Sequence, residues 1–344
     1  MKQICSLFIV LCFSLTASER IASGVTVLGD QFWQTKMAAR FKTDNPKRVH
    51  KEEAIPFRPL KFEWEGGEKP YTLQLALNED FSDSAEITVS ENHAVVHNLF
   101  RSKKYFWKVS DHTGKVLFQG SFVTGSDPRW IRFPEPDKAP INFRDIGGYA
   151  AVDNKQVKQG MIYRGADLEG WRKISKINWQ YLTDTLKIKS EIDFRYPRNV
   201  KDKVNSRLGK KVKYFFRPVN AYKSFTPEQN IMFRDTVRLF ADKTLYPVYM
   251  HCSGGVDRTG EIAFLINGLL GVPEEKLFED YEISSLSLFP RPRDIDYFRK
   301  WREKIATYAP RGANVQKQIE CYLLAIGVSK EEIAAIRDIL LEDK

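Results

Sequence analysis

Between Pro56 and Thr124 apolar and polar positions alternate in short runs: Leu60–Trp64, Tyr71–Leu77, Glu86–Ser90, Ala94–Leu99, Tyr105–Ser110 and Val116–Val123. A period of two in β-branched and aromatic residues predicts half-buried strands. Gly66-Gly67, Asn78-Glu79-Asp80 and Asp111-His112-Thr113-Gly114 separate the runs as turns, so the stretch predicts a small all-β sandwich. A proline-marked linker with Pro128, Pro134, Pro136 and Pro140 then reads as a domain boundary. Beyond it, strands expected at Glu191–Phe194, Val212–Val219 and Val248–Met250 alternate with helical patterns. These cover Lys173–Leu186, Gln229–Ala241, Glu261–Leu270, Pro273–Ser285, Asp294–Ala306, Asn314–Ile326 and Ser329–Leu341, the last opened by a capping box of Ser329 and Glu332. Such alternation predicts an α/β fold, a central and mostly parallel sheet flanked by helices, with its ligand site at the carboxyl edge.

The amino-terminal pattern differs from both. Met1-Lys2-Gln3 precedes an apolar run from Ile4 to Leu15 and the small residues Thr16-Ala17-Ser18, the make-up of an export signal. The expected organisation is a signal peptide over 1–18, an N-terminal segment over 19–55 with a weak helical stretch at Phe32–Phe41, the sandwich over 56–127 and the α/β domain over 128–344. A periplasmic or extracellular location follows from that reading. No later run is long enough to predict a transmembrane helix. Of four cysteines, Cys5 and Cys12 leave with the signal, and the remaining Cys252 and Cys321 make no disulfide framework. Cys321 falls in a helical pattern as a core residue.

A formal charge of +10 predicts attraction for anionic partners. No nucleic-acid motif accompanies it, so nucleic acid is not an expected partner. The densest basic stretch, Arg195, Arg198, Lys201, Lys203, Arg207, Lys210, Lys211 and Lys213, reads as a solvated loop whose first two members border a pocket. Of the five histidines only His251 lies in the α/β domain, a poor ligand set for a metal; no metal and no cofactor are expected.

The chemistry concentrates in His251-Cys252-Ser253-Gly254-Gly255-Val256-Asp257-Arg258-Thr259-Gly260. An apolar strand pattern precedes this stretch and a buried helix pattern follows it. Strand, glycine-containing loop and helix start together make an anion site, where backbone N–H groups converge and the helix dipole favours negative charge. Cys252 at the loop entrance meets a positive field that favours the thiolate. Arg258 offers a planar fork for two phosphate oxygens. Gly254 and Gly255 let the amides of Ser253 to Arg258 turn inward around the oxyanion. The thiolate is then placed to attack phosphorus and form a cysteinyl-phosphate that water hydrolyses. Thr259 is expected to hydrogen-bond the sulfur as it leaves, and His251 to orient the loop rather than act as a base.

This stretch resembles the signature HCxxGxxR[ST]G of the cysteine-dependent protein tyrosine and dual-specificity phosphatases, and Asp257 before Arg258 resembles the atypical bacterial tyrosine/serine branch. Asn142-Phe143-Arg144-Asp145-Ile146-Gly147-Gly148-Tyr149, Ile162-Tyr163-Arg164-Gly165-Ala166-Asp167 and Glu191-Ile192-Asp193-Phe194-Arg195 extend the resemblance over about residues 135 to 344. It implies the cysteine-phosphatase fold and phosphomonoester hydrolysis of phosphotyrosine, with phosphoserine or phosphothreonine as further substrates. Partners would be a phosphorylated protein or a small phosphoester. Alternatives are a phosphoinositide or inositol phosphate phosphatase, or a phosphate-binding module without turnover. Val256 stands where the family often has a lysine associated with phosphoinositide hydrolysis, and Tyr196-Pro197-Arg198-Asn199 lacks the usual acidic residue. Leaving-group departure needs a proton donor, for which Asp257 comes first, Asp193 second and Asp145 third. Arg144 and Arg164 either add a positive rim or pair structurally, and Arg195 supports the site. Tyr105-x-Trp107-x-Val109 with Gly120-x-Phe122-x-Thr124 is similar to a fibronectin type III module.

Overall fold

The computed structural model describes residues 19–21, 25–27, 60–126, 128–170, 173–200, 205–222, 225–286 and 295–344. The expected signal peptide over 1–18 and the weak helix at Phe32–Phe41 lie outside the described residues. The chain forms two compact units, one running through Asp127 and one from Pro128 to Lys344.

The first unit carries β1 (Glu19–Ile21), β2 (Val25–Val27), β3 (Leu60–Glu63), β4 (Tyr71–Ala76), β5 (Ala85–Val89), β6 (His93–Val96), β7 (Lys104–Ser110) and β8 (Val116–Val123). They make two antiparallel four-stranded sheets, ordered β1-β2-β3-β6 and β5-β4-β7-β8. Alternation places Leu60, Phe62, Ala94 and Val96 of the first sheet in one core with Leu73, Leu75, Trp107, Val109 and Phe122 of the second. Phe62 meets Trp107 edge-on, with centroids 5.4 Å apart, a preferred aromatic geometry.

The second unit is built on β9 (Arg144–Asp145), β11 (Ile162–Gly165), β12 (Ser190–Asp193), β13 (Lys213–Phe216) and β14 (Val248–His251), with sheet order β13-β12-β14-β11-β9. All pairings are parallel except that of β9 with β11. A separate antiparallel pair joins β10 (Lys155–Val157) to β15 (Leu341–Asp343). The helices are α1 (Lys176–Gln180), α2 (Pro197–Val200), α3 (Pro227–Leu239), α4 (Asp257–Leu269), α5 (Glu274–Glu282), α6 (Ile295–Ala306), α7 (Val315–Ala325) and α8 (Lys330–Leu340). α4 is buried from Thr259 through Leu269, which explains its near-continuous apolar sequence, and it shares one core with Phe233 and Val237 of α3 and Ile319 and Leu323 of α7. A second apolar cluster, with Phe143, Tyr163, Tyr249, Leu182 and Leu186, involves the segment around α1. Ser329 and Glu332 form the expected capping box on α8.

Two expectations need correction. The long helix over Lys173–Leu186 is instead α1 followed by a π-helical turn at Tyr181–Thr185. α4 begins at Asp257, not Glu261: the glycine loop runs straight into the helix, with an acidic residue in the first turn where the dipole favours it. Among the described residues, no helix is long and apolar enough to cross a membrane.

Candidate active site

β14 ends at His251, and the loop from Cys252 to Val256 carries the chain over the carboxyl edge of the sheet into α4. Its two flanks are the ends of the neighbouring parallel strands β12 and β11. Cys252 lies at the floor of the loop, 3% exposed.

The loop is shaped from behind. Five successive carbonyls are tied to groups outside it. Cys252 O lies 3.2 Å from His251 Nδ1 and Ser253 O accepts the Asp167 N–H at 3.1 Å. Asn142 Nδ2 donates to Gly254 O and Gly255 O, each at 3.1 Å. Arg164 Nη2 donates to Gly255 O at 2.8 Å and Val256 O at 3.1 Å. With the oxygens held on the outer side, the intervening amides turn inward toward one point, a concave nest for an oxyanion. Gly255 makes this possible: its φ is +65°, and a β-carbon there would overlap the Gly165 carbonyl.

Arg258 reaches across the opening. Its Nη1 donates to Phe194 O at 3.1 Å and its Nη2 to Ser253 Oγ at 3.3 Å, while the guanidinium carbon lies 4.5 Å from the centre of the Tyr196 ring. These contacts fix the plane of the fork. Thr259 lies in the first turn of α4. Its buried hydroxyl has no hydrogen-bond partner among the described residues.

His251, expected to orient the loop, is braced against β12, with Nε2 2.9 Å from Glu191 Oε1 and Nδ1 3.9 Å from Asp193 Oδ1. Burial pushes the imidazole down, but the Asp193 and Glu191 carboxylates outweigh this and hold it above its ordinary value. The two carboxylates thus favour the charged imidazole, which adjoins Cys252 in the chain. Ligand atoms of Glu191, Asp193 and His251 come within 4.8 Å of one another, the closest approach to a metal set among the described residues. Their oxygens already serve Ser206, Arg195 and Tyr214, so the group works as a hydrogen-bonded brace.

The three candidate proton donors stand in unlike places. Asp193 is fully buried, grips Arg195 through both oxygens at 2.7–3.0 Å and accepts the Tyr214 hydroxyl at 2.9 Å. Burial works against its charge, yet His251 and Arg195 hold the carboxyl well below the usual range. A carboxylate so held is a poor proton donor at neutral pH. Asp145 pairs with Arg129 at 2.7 Å and accepts the Gly147 and Gly160 N–H groups at 2.8 and 2.6 Å, a structural assignment. Asp257 alone sits at the loop. Its Oδ1 accepts the hydroxyls of Tyr222 at 2.6 Å and Tyr281 at 3.1 Å, and no described residue reaches Oδ2.

Arg144 and Arg164 form no rim. Both are sealed from solvent and share Asp280 of α5, which takes Arg144 Nε at 2.9 Å and Arg164 Nη1 on its other oxygen. Burial and the neighbouring Arg164 bring Arg144 down to about 10. Arg195 likewise faces Asp193, Glu169 and Asp167 rather than solvent. Sequence reasoning missed Asp280, Tyr222, Tyr281 and Glu261. Only Glu261 carried a local signal: it is the one charged residue between Arg258 and Glu274, inside an apolar helix.

Among curated proteins the chain is 34% identical over 76 residues to a tyrosine-protein phosphatase of Nostoc commune. That stretch is 22% of this chain and 26% of the relative, so the chain spans about a quarter of the relative's length. Among solved structures, the core catalytic domain of a PP-IP phosphatase from S. cerevisiae in complex with citrate shares 17% identity, with 49% of this chain and 85% of that chain covered and a TM-score of 0.31. A tyrosine phosphatase from the Orf virus with triple substrate specificity shares 12% identity over 48% of this chain and 80% of that chain, with a TM-score of 0.22. The profile of the tyrosine phosphatase family matches residues 138–342, more than half of the chain and every residue of the loop and its supports, and the chain belongs to that family.

Proposed function

We propose that the protein is a cysteine-dependent phosphatase that hydrolyses phosphotyrosine, with phosphoserine and phosphothreonine as secondary substrates. The observation that carries this reading is the loop itself, with five carbonyls tied back, Cys252 at its floor and Arg258 across its mouth. The phosphoryl group would sit in the nest, two of its oxygens on the Arg258 fork and the rest on inward amides. The Cys252 thiolate attacks phosphorus in line as the P–O bond to the leaving group breaks. Asp257 gives its proton to the departing oxygen. In the second step the Asp257 carboxylate takes a proton from water, the hydroxyl attacks the cysteinyl-phosphate, and the thiolate leaves. The loop carrying Cys252 opens α4 at Asp257, so the helix amino terminus faces the bound phosphoryl group. Thr259, unpartnered before reaction, is available to the sulfur at that second departure. Tyr196, whose ring already lies against Arg258, offers an aromatic wall suited to an aryl phosphate.

Cys252→Ser is expected to abolish release of inorganic phosphate from 4-nitrophenyl phosphate while vanadate still binds, and chelators are expected to leave wild-type turnover unchanged. Wild-type turnover by Cys252→Ser would overturn the reading. Phosphate binding without release by the wild type would favour the binding-module alternative. Export through residues 1–18 and a fibronectin III-like character for the first unit belong to the same proposal. The second rests on the two-sheet core around Trp107.

A further inference from the structure

Glu261 lies one turn beyond Asp257 on α4, sealed from solvent, and the proposed chemistry makes no use of it. Its Oε1 accepts the Tyr222 N–H at 2.6 Å, while its buried Oε2 has no hydrogen-bond partner. Tyr222 belongs to the connection between β13 and α3 and has a φ of +58°, the left-handed region. A tyrosine keeps that conformation only where its surroundings over-determine it. The same residue points its hydroxyl at the candidate proton donor. Tyr222 Oη donates to Asp257 Oδ1 at 2.6 Å and lies 2.6 Å from Tyr281 Oη, which reaches the same carboxylate oxygen. One buried carboxyl therefore grips the backbone of Tyr222, and the Tyr222 side chain grips Asp257.

We infer that Glu261 is a positioning residue for the proton donor: by fastening the Tyr222 backbone it lets the Tyr222 hydroxyl hold Asp257 at the cradle with Oδ2 left to carry the proton. This rests on the phosphatase reading. The charged and titratable groups around Glu261 are Asp257, Cys252, Arg258, Tyr222 and Tyr322. Burial first, then the negative charges of Asp257 and Cys252, push its carboxyl well above the usual range, against the pull of the Tyr222 N–H and Arg258. Burial thus favours the neutral carboxyl, which accepts its hydrogen bond without setting another anion beside the thiolate and the incoming phosphate. A glutamine at this position would do the same. An apolar residue would release the loop.

The test compares full-length wild type with E261Q, E261A and Y222F on aryl phosphates of increasing leaving-group basicity, together with vanadate affinity and exchange of the Tyr222 amide proton. E261A and Y222F should each lose roughly tenfold or more in kcat on phenyl phosphate and much less on 4-nitrophenyl phosphate, because only the poor leaving group needs its proton delivered. Vanadate affinity should stay within about threefold of wild type, since the nest and Arg258 are untouched. E261Q should recover most of what E261A loses, with a protected Tyr222 amide that E261A exposes. An unaltered leaving-group dependence in E261A or in Y222F overturns the inference. So does E261Q as impaired as E261A, which would mean the carboxyl proton itself is used. Should E261A fail to fold, Y222F and E261Q still decide the matter. Failure of the phosphatase reading shows separately, as turnover retained by Cys252→Ser, and leaves the amide-exchange comparison intact.

Discussion

Arg258 is set up for two oxygens at once: its fork is braced by Phe194 O and Ser253 Oγ and backed by the Tyr196 ring. A lysine keeps the charge but neither the plane nor the paired donors. Arg258→Lys should therefore lower kcat by about 10²-fold or more, read by initial rates on an aryl phosphate at saturation, with melting temperature nearly unchanged. Gly255→Ala acts differently, since its β-carbon would be driven into the Gly165 carbonyl at a left-handed φ. Vanadate affinity should fall with turnover in that variant, whereas wild-type affinity would show that the nest does not depend on the close approach. Cys252 and Arg258 were legible because a phosphate loop is local in sequence, with nucleophile, glycines and fork within seven positions. Tyr222, Tyr281 and Asp280 were not, because they come from other elements and converge only through folding. Sequence position ranked the three aspartates, with Asp257 first because it lies in the loop, but could not show what holds each one. Their neighbours separate them: Arg195 for Asp193, Arg129 for Asp145 and two tyrosine hydroxyls for Asp257.

At the scale of elements, the site is a junction between β14 and α4 held by β9, β11 and α5. Arg144 of β9 and Arg164 of β11 converge on Asp280 of α5, and Arg164 passes that restraint on to the Gly255 and Val256 carbonyls. Two guanidiniums sealed from solvent and sharing one carboxylate stand or fall with it. Asp280→Asn should cost about 3–5 kcal/mol, the usual effect of leaving a buried charge uncompensated. Denaturant unfolding would read this, and a loss below about 1 kcal/mol would show the pair to be a bystander. The strong periods were readable: the strands β3 to β8, the buried α4 and the capped α8 all lie close to their sequence patterns. β9, β10 and β15 were not, because two or three residues cannot display a period of two. What makes them strands is a partner far along the chain, Tyr163 opposite Asp145 and Leu341 opposite Val157.

For the molecule as a whole, the buried titrating groups set opposing pH limits on stability. Asp193 and Asp280 have carboxyls held below the ordinary aspartate value of 3.8, so their contribution is present above that pH and is lost as acid protonates them in the folded state. His251 is raised above 6.5, and its contribution is complete below that value and fades as pH rises through the folded value. Glu261 has the same sign from a lower starting point. Above 4.5 the unfolded chain releases its proton while the folded protein keeps it, so stability declines with every further rise in pH until Glu261 ionises in place. Together these groups predict greatest stability on the acid side of neutrality, with a steep loss below about pH 4 and a gentler loss toward pH 8. E261Q cannot ionise in either state, so it removes one cause of the alkaline decline while keeping the Tyr222 hydrogen bond. Melting curves of wild type and E261Q should nearly coincide at pH 4.5 and separate in favour of the variant by pH 8. Parallel curves over that range would mean that the carboxyl at the heart of α4 is already charged. The Tyr222 clamp would then be an ion buried beside the nucleophile rather than the neutral acceptor that burial favours.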